Sequence, residues 1–362
     1  MYKLIRPLLF KIEPDTIHEK TIALGRLLDK PWVIKTLNNA FHFEHPSLST
    51  KVFGLNFPNP VGLPPGADRH AKLINVLPAL GFGFLEICTV TPKPQEGNPK
   101  PRLFRLPKDQ ALLNRIGFES PGVDAVARQL QTKTNSTILG VGITRNRDTP
   151  NEHALADYEY CFRVISDYVD FLVINVSSPN TPYLRELQAK TSLFEIGERL
   201  QRLNAAKKKP IPLLFKISPD LDAKQLDDII TVVHTTRIAG VIATNTTVSR
   251  ESLTTPSTEV ETLGNGGISG KPLRERSTRI IRYLFEHSGG AFPIIGVGGI
   301  FSAADAYEKI RAGASLVQLY TGLAYEGPGL VKNIKQGLVQ LLERDGFSSL
   351  KEAVGSFPQV SS

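Results

Sequence analysis

The chain has 362 residues, 41% hydrophobic and 22% charged, which supplies a substantial core and excludes a disordered or low-complexity protein. Its length suits one large domain with insertions, and its 26 prolines and 29 glycines are scattered between apolar runs rather than pooled in a linker. The formal charge of +8 favours an acidic partner, but no long Lys/Arg run or basic–aromatic repeat points to nucleic acid, and Lys207, Lys208 and Lys209 read as a solvated helix end before Pro210.

Leu4, Ile5, Leu8, Leu9 and Ile12 fall on one face of a first helix, interrupted near Pro7 and Pro14. Residues 17–37 give a second helix, with Leu24, Leu27 and Leu28 ahead of Pro31 and Trp32. Lys3, Arg6 and Lys11 are the only charges in the first eleven residues. Two readings stay open on pattern alone. The helices cap a barrel, or they lie in a membrane interface with their apolar face in lipid and their basic residues at head groups. No secretory signal core, no span of about 18 apolar residues and no Arg- and Ser-rich leader is visible, so the chain is expected in a bacterial-type cytoplasm. Residues 1–45 are set apart as an extension, 46–345 as the main domain and 346–362 as a tail.

Residues 51–58 read as a hairpin closing one end of that domain. Eight short apolar runs follow, at 59–63, 84–90, 138–143, 171–176, 213–217, 241–244, 294–297 and 316–320. Continuous apolar runs separated by amphipathic helices indicate parallel strands buried on both faces, and eight of them predict an α/β fold of the (β/α)8 TIM-barrel type. An open doubly wound sheet would usually carry a Gly-x-Gly-x-x-Gly turn after its first strand, and none is present. The wide gaps at 91–121 and 247–270 read as insertions on the catalytic face.

Cys88 and Cys161 have no metal spacing and read as buried small hydrophobes, and no metal site is proposed from the seven histidines. The seventh run leads into Gly296-Val297-Gly298-Gly299 and then a helix near Ser302, and the eighth ends in Gln318-Leu319-Tyr320-Thr321-Gly322. Glycines let backbone N–H groups approach an anion, and strands seven and eight are where barrels hold phosphate. Gly270 closes a third Gly-rich loop. Asn114, Asn175, Asn180 and Asn245 stand at strand ends or in the loops beside them, a set of amides suited to a small imide-like ligand, and Lys216 ends strand five as a candidate cation beside a flavin ring.

These residues carry a resemblance. With Glu13-Pro14-Asp15-Thr16-Ile17-His18, Thr89-Val90-Thr91-Pro92, Pro101 to Arg105, Leu113 to Phe118, Asn175 to Pro182, Ala243 to Thr247 and the closing Gly-Val-Gly-Gly, the chain resembles the membrane-associated, quinone-reducing class of dihydroorotate dehydrogenases over nearly its whole length. The resemblance implies FMN-dependent oxidation of dihydroorotate to orotate in pyrimidine biosynthesis, by a monomer on the cytoplasmic face of the membrane. It implies Ser178 as the base that takes the C5 proton while hydride leaves C6 for the flavin, with a water chain reaching Thr181. Arg69, Asn114, Phe118, Asn175, Asn180, Asn245 and Thr246 would hold the substrate. Pro65, Gly66, Thr89, Gly142, Asn175, Lys216, Thr244, Gly270, Gly299, Tyr320 and Thr321 would hold FMN. His18 and Arg105 would lie near the inner end of a quinone tunnel.

The sequence departs from the family at the flavin-ring end. The loop usually written Ala-Ala-Gly-x-Asp-Lys is here Pro64-Pro65-Gly66-Ala67-Asp68-Arg69, and the usual Asn-x-Gly-Lys-Asn is Gly142-Ile143-Thr144-Arg145-Asn146. Arg is bulkier than Lys and donates through a planar fork. Room left by Gly142 is expected to serve Arg69, making the two a coupled pair. The alternatives are a relative with altered substrate or flavin binding, or a silent membrane-associated scaffold. The intact Ser178 and four asparagines speak against the scaffold.

Overall fold

The computed structural model describes residues 2–357. Three helices open the chain, α1 (Tyr2–Leu9), α2 (Pro14–Leu27) and α3 (Pro31–Phe41), followed by the hairpin β1 (Thr50–Val52) and β2 (Leu55–Phe57). Next come β3 (Val61–Leu63) and β4 (Phe84–Val90), then an inserted pair, β5 (Leu103–Leu106) and β6 (Ala111–Asn114). The chain continues through β7 (Ile138–Ile143), β8 (Phe171–Asn175), β9 (Leu213–Ile217) and β10 (Gly240–Ala243). The inserted β11 (Gly267–Gly270) precedes β12 (Ile294–Val297) and β13 (Ala314–Gln318). Strands β3, β4, β7, β8, β9, β10, β12 and β13 form a closed parallel barrel in chain order, and β13 pairs back onto β3. This is the expected (β/α)8 barrel, with helices between its strands burying their apolar faces.

One end of the barrel is packed solid. Phe84 and Phe171 meet edge to face inside it at 6.2 Å, and Phe57 of the hairpin reaches Phe84 at 5.3 Å. Gly62 and Gly140 make the rings fit, since a Cβ on either would lie 2.2–2.3 Å from them. The hairpin plugs this end, as read from residues 51–58, and the filled interior leaves the C-terminal ends of the strands for a site.

The two insertions meet there. Strand β6 pairs with β5 on one side and β11 on the other, giving a three-stranded antiparallel sheet beside the barrel mouth. Arg115 fastens the insertions further, donating to Pro101 O and Leu263 O.

Three expectations need adjustment. The helix read across residues 17–37 is two helices. Lys30 is extended at φ −130, as a residue before proline prefers, and Pro31, which has no N–H to donate, starts α3. Helix α1 runs through Pro7 instead of breaking there. The eighth barrel strand is Ala314–Gln318, so Tyr320 and Thr321 belong to the turn and helix after it. In the tail, the short helix Leu350–Ala353 buries Leu350 and Ala353 in the main core, and residues 358–362 lie outside the described residues.

Candidate active site

The C-terminal ends of the barrel strands surround a cavity that opens to solvent, with about 1250 Å³ of atom-free space when the open solvent at its mouth is counted. Ser178 and every residue expected at substrate or flavin line it, with one exception, Gly142.

One side of the cavity is backbone. Gly298 and Gly299 turn at φ +128 and +71 between β12 and the helix Ala303–Arg311, whose N-cap Ser302 accepts from Asp305 N. Side chains are excluded here, because a Cβ on Gly299 would come within 2.4 Å of Arg274 Cβ. Gly270 faces this turn at φ +103, and Thr321 donates to Ser269 Oγ at 2.8 Å. The result is a glycine-lined wall at the ends of strands seven and eight, fitted to a phosphate.

The floor is polar and buried. Lys216 reaches Glu86 Oε1 and Oε2 at 3.1 and 3.0 Å, and Gln318 donates to Glu86 Oε2 at 3.1 Å. Glu86 has no exposed surface, so its charge is tolerable only as part of this pair. Gln318 lines the cavity with Oε1 buried and without a hydrogen-bond partner among the described residues. A ligand donor there would satisfy it, which fits a heterocycle with an N–H.

The amides form two linked sets. Asn175 donates to Thr89 Oγ1 at 3.4 Å and accepts from Ser177 N at 3.2 Å, while Asn245 donates to Ser177 Oγ at 3.0 Å. Across the mouth Asn180 donates to Asn114 Oδ1 at 2.9 Å, and Asn114 donates to Gly267 O at 3.2 Å. Each set can exchange internal bonds for bonds to a ligand that both donates and accepts.

Ser178 stands on the loop after β8, 7% exposed, and its Oγ accepts from Asn180 N at 3.3 Å. Thr181 Oγ1 is buried nearby in sequence and has no hydrogen-bond partner among the described residues. Arg185 holds this loop, donating to Ser177 O at 3.0 Å, to Thr246 O at 2.8 Å and to Asp220 at 2.8 Å. It joins the serine loop to the Asn245–Thr246 loop. Among the described residues no group of three or more His, Cys, Asp or Glu is placed to hold a metal ion, and Cys88 and Cys161 are both buried.

A family model described as dihydroorotate dehydrogenase matches residues 47–342. The chain belongs to the dihydroorotate dehydrogenase family. A Christiangramia forsetii relative named dihydroorotate dehydrogenase (quinone) is 54% identical over 342 residues, covering 94% of this chain and 99% of its own. A Roseiflexus relative of the same name is 46% identical and covers 98% of each chain. The crystal structure of Eimeria tenella DHODH in complex with ferulenol is similar at 34% identity and a TM-score of 0.87, over 97% of this chain and 98% of that one.

Against this family background the two departures do not act on each other. Arg69 donates from Nη1 to Glu119 Oε2 at 2.9 Å. A Cβ at Gly142 would instead meet Thr89 Oγ1 at 2.7 Å and Cys88 O at 3.3 Å. The expected coupling of Arg69 with Gly142 is therefore corrected: Gly142 makes room for Thr89, its partner across β4 and β7. Gly142→Asn is expected to lower stability by about 1–3 kcal/mol through overpacking, and by the same amount in an Arg69→Lys background. Denaturant unfolding of the single and double variants checks both statements.

His18 and Arg105 also lie outside the wall of this cavity. Arg105 donates to Phe10 O and Ile12 O at 3.2 and 2.7 Å, and its guanidinium stands 4.7 Å from the centre of the Phe10 ring. His18 is neutral over the physiological range, since burial and then the Arg69 charge push its pKa down to about 3.

Sequence reasoning missed Glu86, Glu119 and Arg185 as site residues. Glu86 had a readable signal, an acid inside the apolar run 84–90. Glu119 sits in a loop and Arg185 in the short 3-10 helix Leu184–Gln188, where nothing local distinguishes them.

Proposed function

We propose that the chain oxidises dihydroorotate to orotate with FMN as cofactor and passes the electrons to a membrane quinone. The observation that carries this reading is the placement of Ser178 and the four asparagines on one cavity whose wall is a glycine-lined phosphate cradle. The names of relatives 44–54% identical over nearly the whole chain, each dihydroorotate dehydrogenase (quinone), support it.

Gly270, Gly299, Tyr320 and Thr321 would hold the FMN phosphate, and Pro65, Gly66, Thr89, Thr244, Asn175 and Lys216 the ring end. Bound FMN supplies an acceptor for the hydride from C6 of dihydroorotate. The chain's own residues do the rest. Asn114, Asn175, Asn180, Asn245 and Thr246 pair with the amide and imide groups of the substrate, and Phe118 closes over it. Arg69 keeps Nε and Nη2 buried and without a partner among the described residues, an edge of the guanidinium suited to two parallel bonds with the substrate carboxylate. Ser178 takes the C5 proton in a site shielded from water, with Thr181 next along the exit. Lys216, paired with Glu86, presents a fixed ammonium at the cavity floor.

The first 45 residues are the docking extension in this reading. Leu4, Leu8, Leu24, Leu27 and Trp32 are 55–81% exposed, a large apolar surface for three short helices that bury only Asp15 and Val33. No helix of the described residues is long and apolar enough to cross a membrane. The exposed apolar surface supports peripheral contact, with quinone entering past His18 and Arg105; the reading takes that contact to be made by a monomer at the cytoplasmic face.

The test is direct. The purified full chain is expected to be yellow, to bleach with dihydroorotate in the absence of oxygen, and to regain colour on addition of a quinone. A flavin-loaded protein that dihydroorotate leaves oxidised overturns the reading.

A further inference from the structure

Between α2 and the cavity wall four charged side chains alternate in sign. Asp15, 3% exposed in the first turn of α2, accepts from Arg102 N at 2.9 Å and from Leu103 N at 3.2 Å through Oδ2. Its other oxygen lies 3.8 Å from Arg102 Nε, and neither atom has a hydrogen-bond partner among the described residues. Arg102, 4% exposed, donates from Nη1 to Glu96 O and Asn98 O and from Nη2 to Glu119 Oε2 at 2.5 Å. That same oxygen takes Arg69 Nη1 at 2.9 Å, and His70 Nε2 stands 3.6 Å from the other Glu119 oxygen. Two guanidinium groups thus converge on one carboxylate oxygen, and one of them lines the active-site cavity.

We infer that Glu119 is a positioning residue for substrate binding, and that through Arg102 and Asp15 it ties the setting of Arg69 to helix α2. The inference rests on the reading that the free edge of Arg69 meets the substrate carboxylate.

The physical argument concerns what holds a long side chain in one orientation. Arg69 has many rotamers, and a guanidinium presents a productive edge only when its plane is fixed. Glu119 fixes it by engaging Nη1, which leaves Nε and Nη2 for a ligand. Glu119 is itself held because Arg102 engages the same oxygen, and Arg102 is held by two carbonyls on one side and Asp15 on the other. Burial alone would raise the Glu119 carboxyl, but the Arg69 hydrogen bond and the Arg102 charge outweigh it and keep it below the ordinary carboxylate range. Neutralising Glu119 would leave two cations facing each other across a group that no longer balances them. Asp15→Asn would keep an acceptor for the two backbone N–H groups, while the charge is lost and the oxygen beside Arg102 Nε becomes an amide N–H, so that nothing there steadies Arg102. The N-terminal extension is then part of the substrate site as well as the quinone route.

The experiment uses the full-length, flavin-loaded protein with Glu119→Gln, Asp15→Asn and the double variant. Orotate affinity is read from the perturbation of the flavin spectrum, flavin reduction by rapid anaerobic mixing with dihydroorotate, and KM for a short soluble quinone at steady state. Each single variant is expected to weaken orotate about tenfold, with the limiting reduction rate and quinone KM within about twofold of wild type. The double variant is expected to match Glu119→Gln alone, because both changes act on one chain of contacts. A merely structural role would lower thermal stability without this split. If Glu119→Gln fails to retain flavin, the same comparison on Asp15→Asn decides. Unchanged orotate affinity in loaded variants, or effects that simply add, overturns the inference alone, provided dihydroorotate bleaches the wild type. A wild type that does not bleach overturns the functional reading and this inference with it.

Discussion

Replacing Ser178 by Ala is expected to slow flavin reduction by dihydroorotate about 10²–10⁴-fold, the usual worth of a positioned base. Flavin content and orotate affinity should stay near wild type, because among the described residues the one hydrogen bond of Ser178 Oγ is the 3.3 Å bond it accepts from Asn180 N. The loop position is held from elsewhere, by Arg185 on Ser177 O and by Asn175 on Ser177 N. A serine is a weak base by itself, so the shielded site and a route for the proton past Thr181, whose buried hydroxyl has no partner among the described residues, carry much of the effect. Rapid mixing under anaerobic conditions isolates this step from quinone reduction. A rate within a few-fold of wild type would remove Ser178 from the chemistry.

Converting Leu4, Leu8, Leu24, Leu27 and Trp32 together to Glu is expected to abolish binding to liposomes and reduction of a long-chain quinone embedded in them. Each of these side chains is more than half exposed, so the protein should keep most of its stability. Burying a Leu-sized side chain is worth about 1.5–3 kcal/mol, so losing two of the five already lowers partitioning about 10²–10⁴-fold. Oxidation of dihydroorotate coupled to a soluble dye should be unchanged, because none of the five lines the cavity. Co-sedimentation with vesicles and the two coupled assays separate the effects. Retained vesicle binding would return the helices to the role of a simple cap.

The chain by itself determined the architecture and the family. Eight apolar runs with helical spacing between them dictate strands buried on both faces, and in a barrel all eight strand ends emerge on one side. Residues read only as strand-end asparagines, a serine loop and two Gly-rich turns are thereby brought to a single cavity without any further information. Local pattern carries period and turn chemistry, and those suffice for this much.

What only the tertiary structure decided are the partners of charged and interior groups. Glu86, Lys216 and Gln318 meet across the barrel from strands β4, β9 and β13, and no spacing in the chain encodes which interior positions face one another. The room beside Gly142 belongs to Thr89 because pairing of β4 with β7 places those two residues side by side. Arg69 turns to Glu119 for a similar reason. The loops after β3 and β6 are neighbours only once the barrel has closed, and a buried guanidinium then takes the carboxylate within reach.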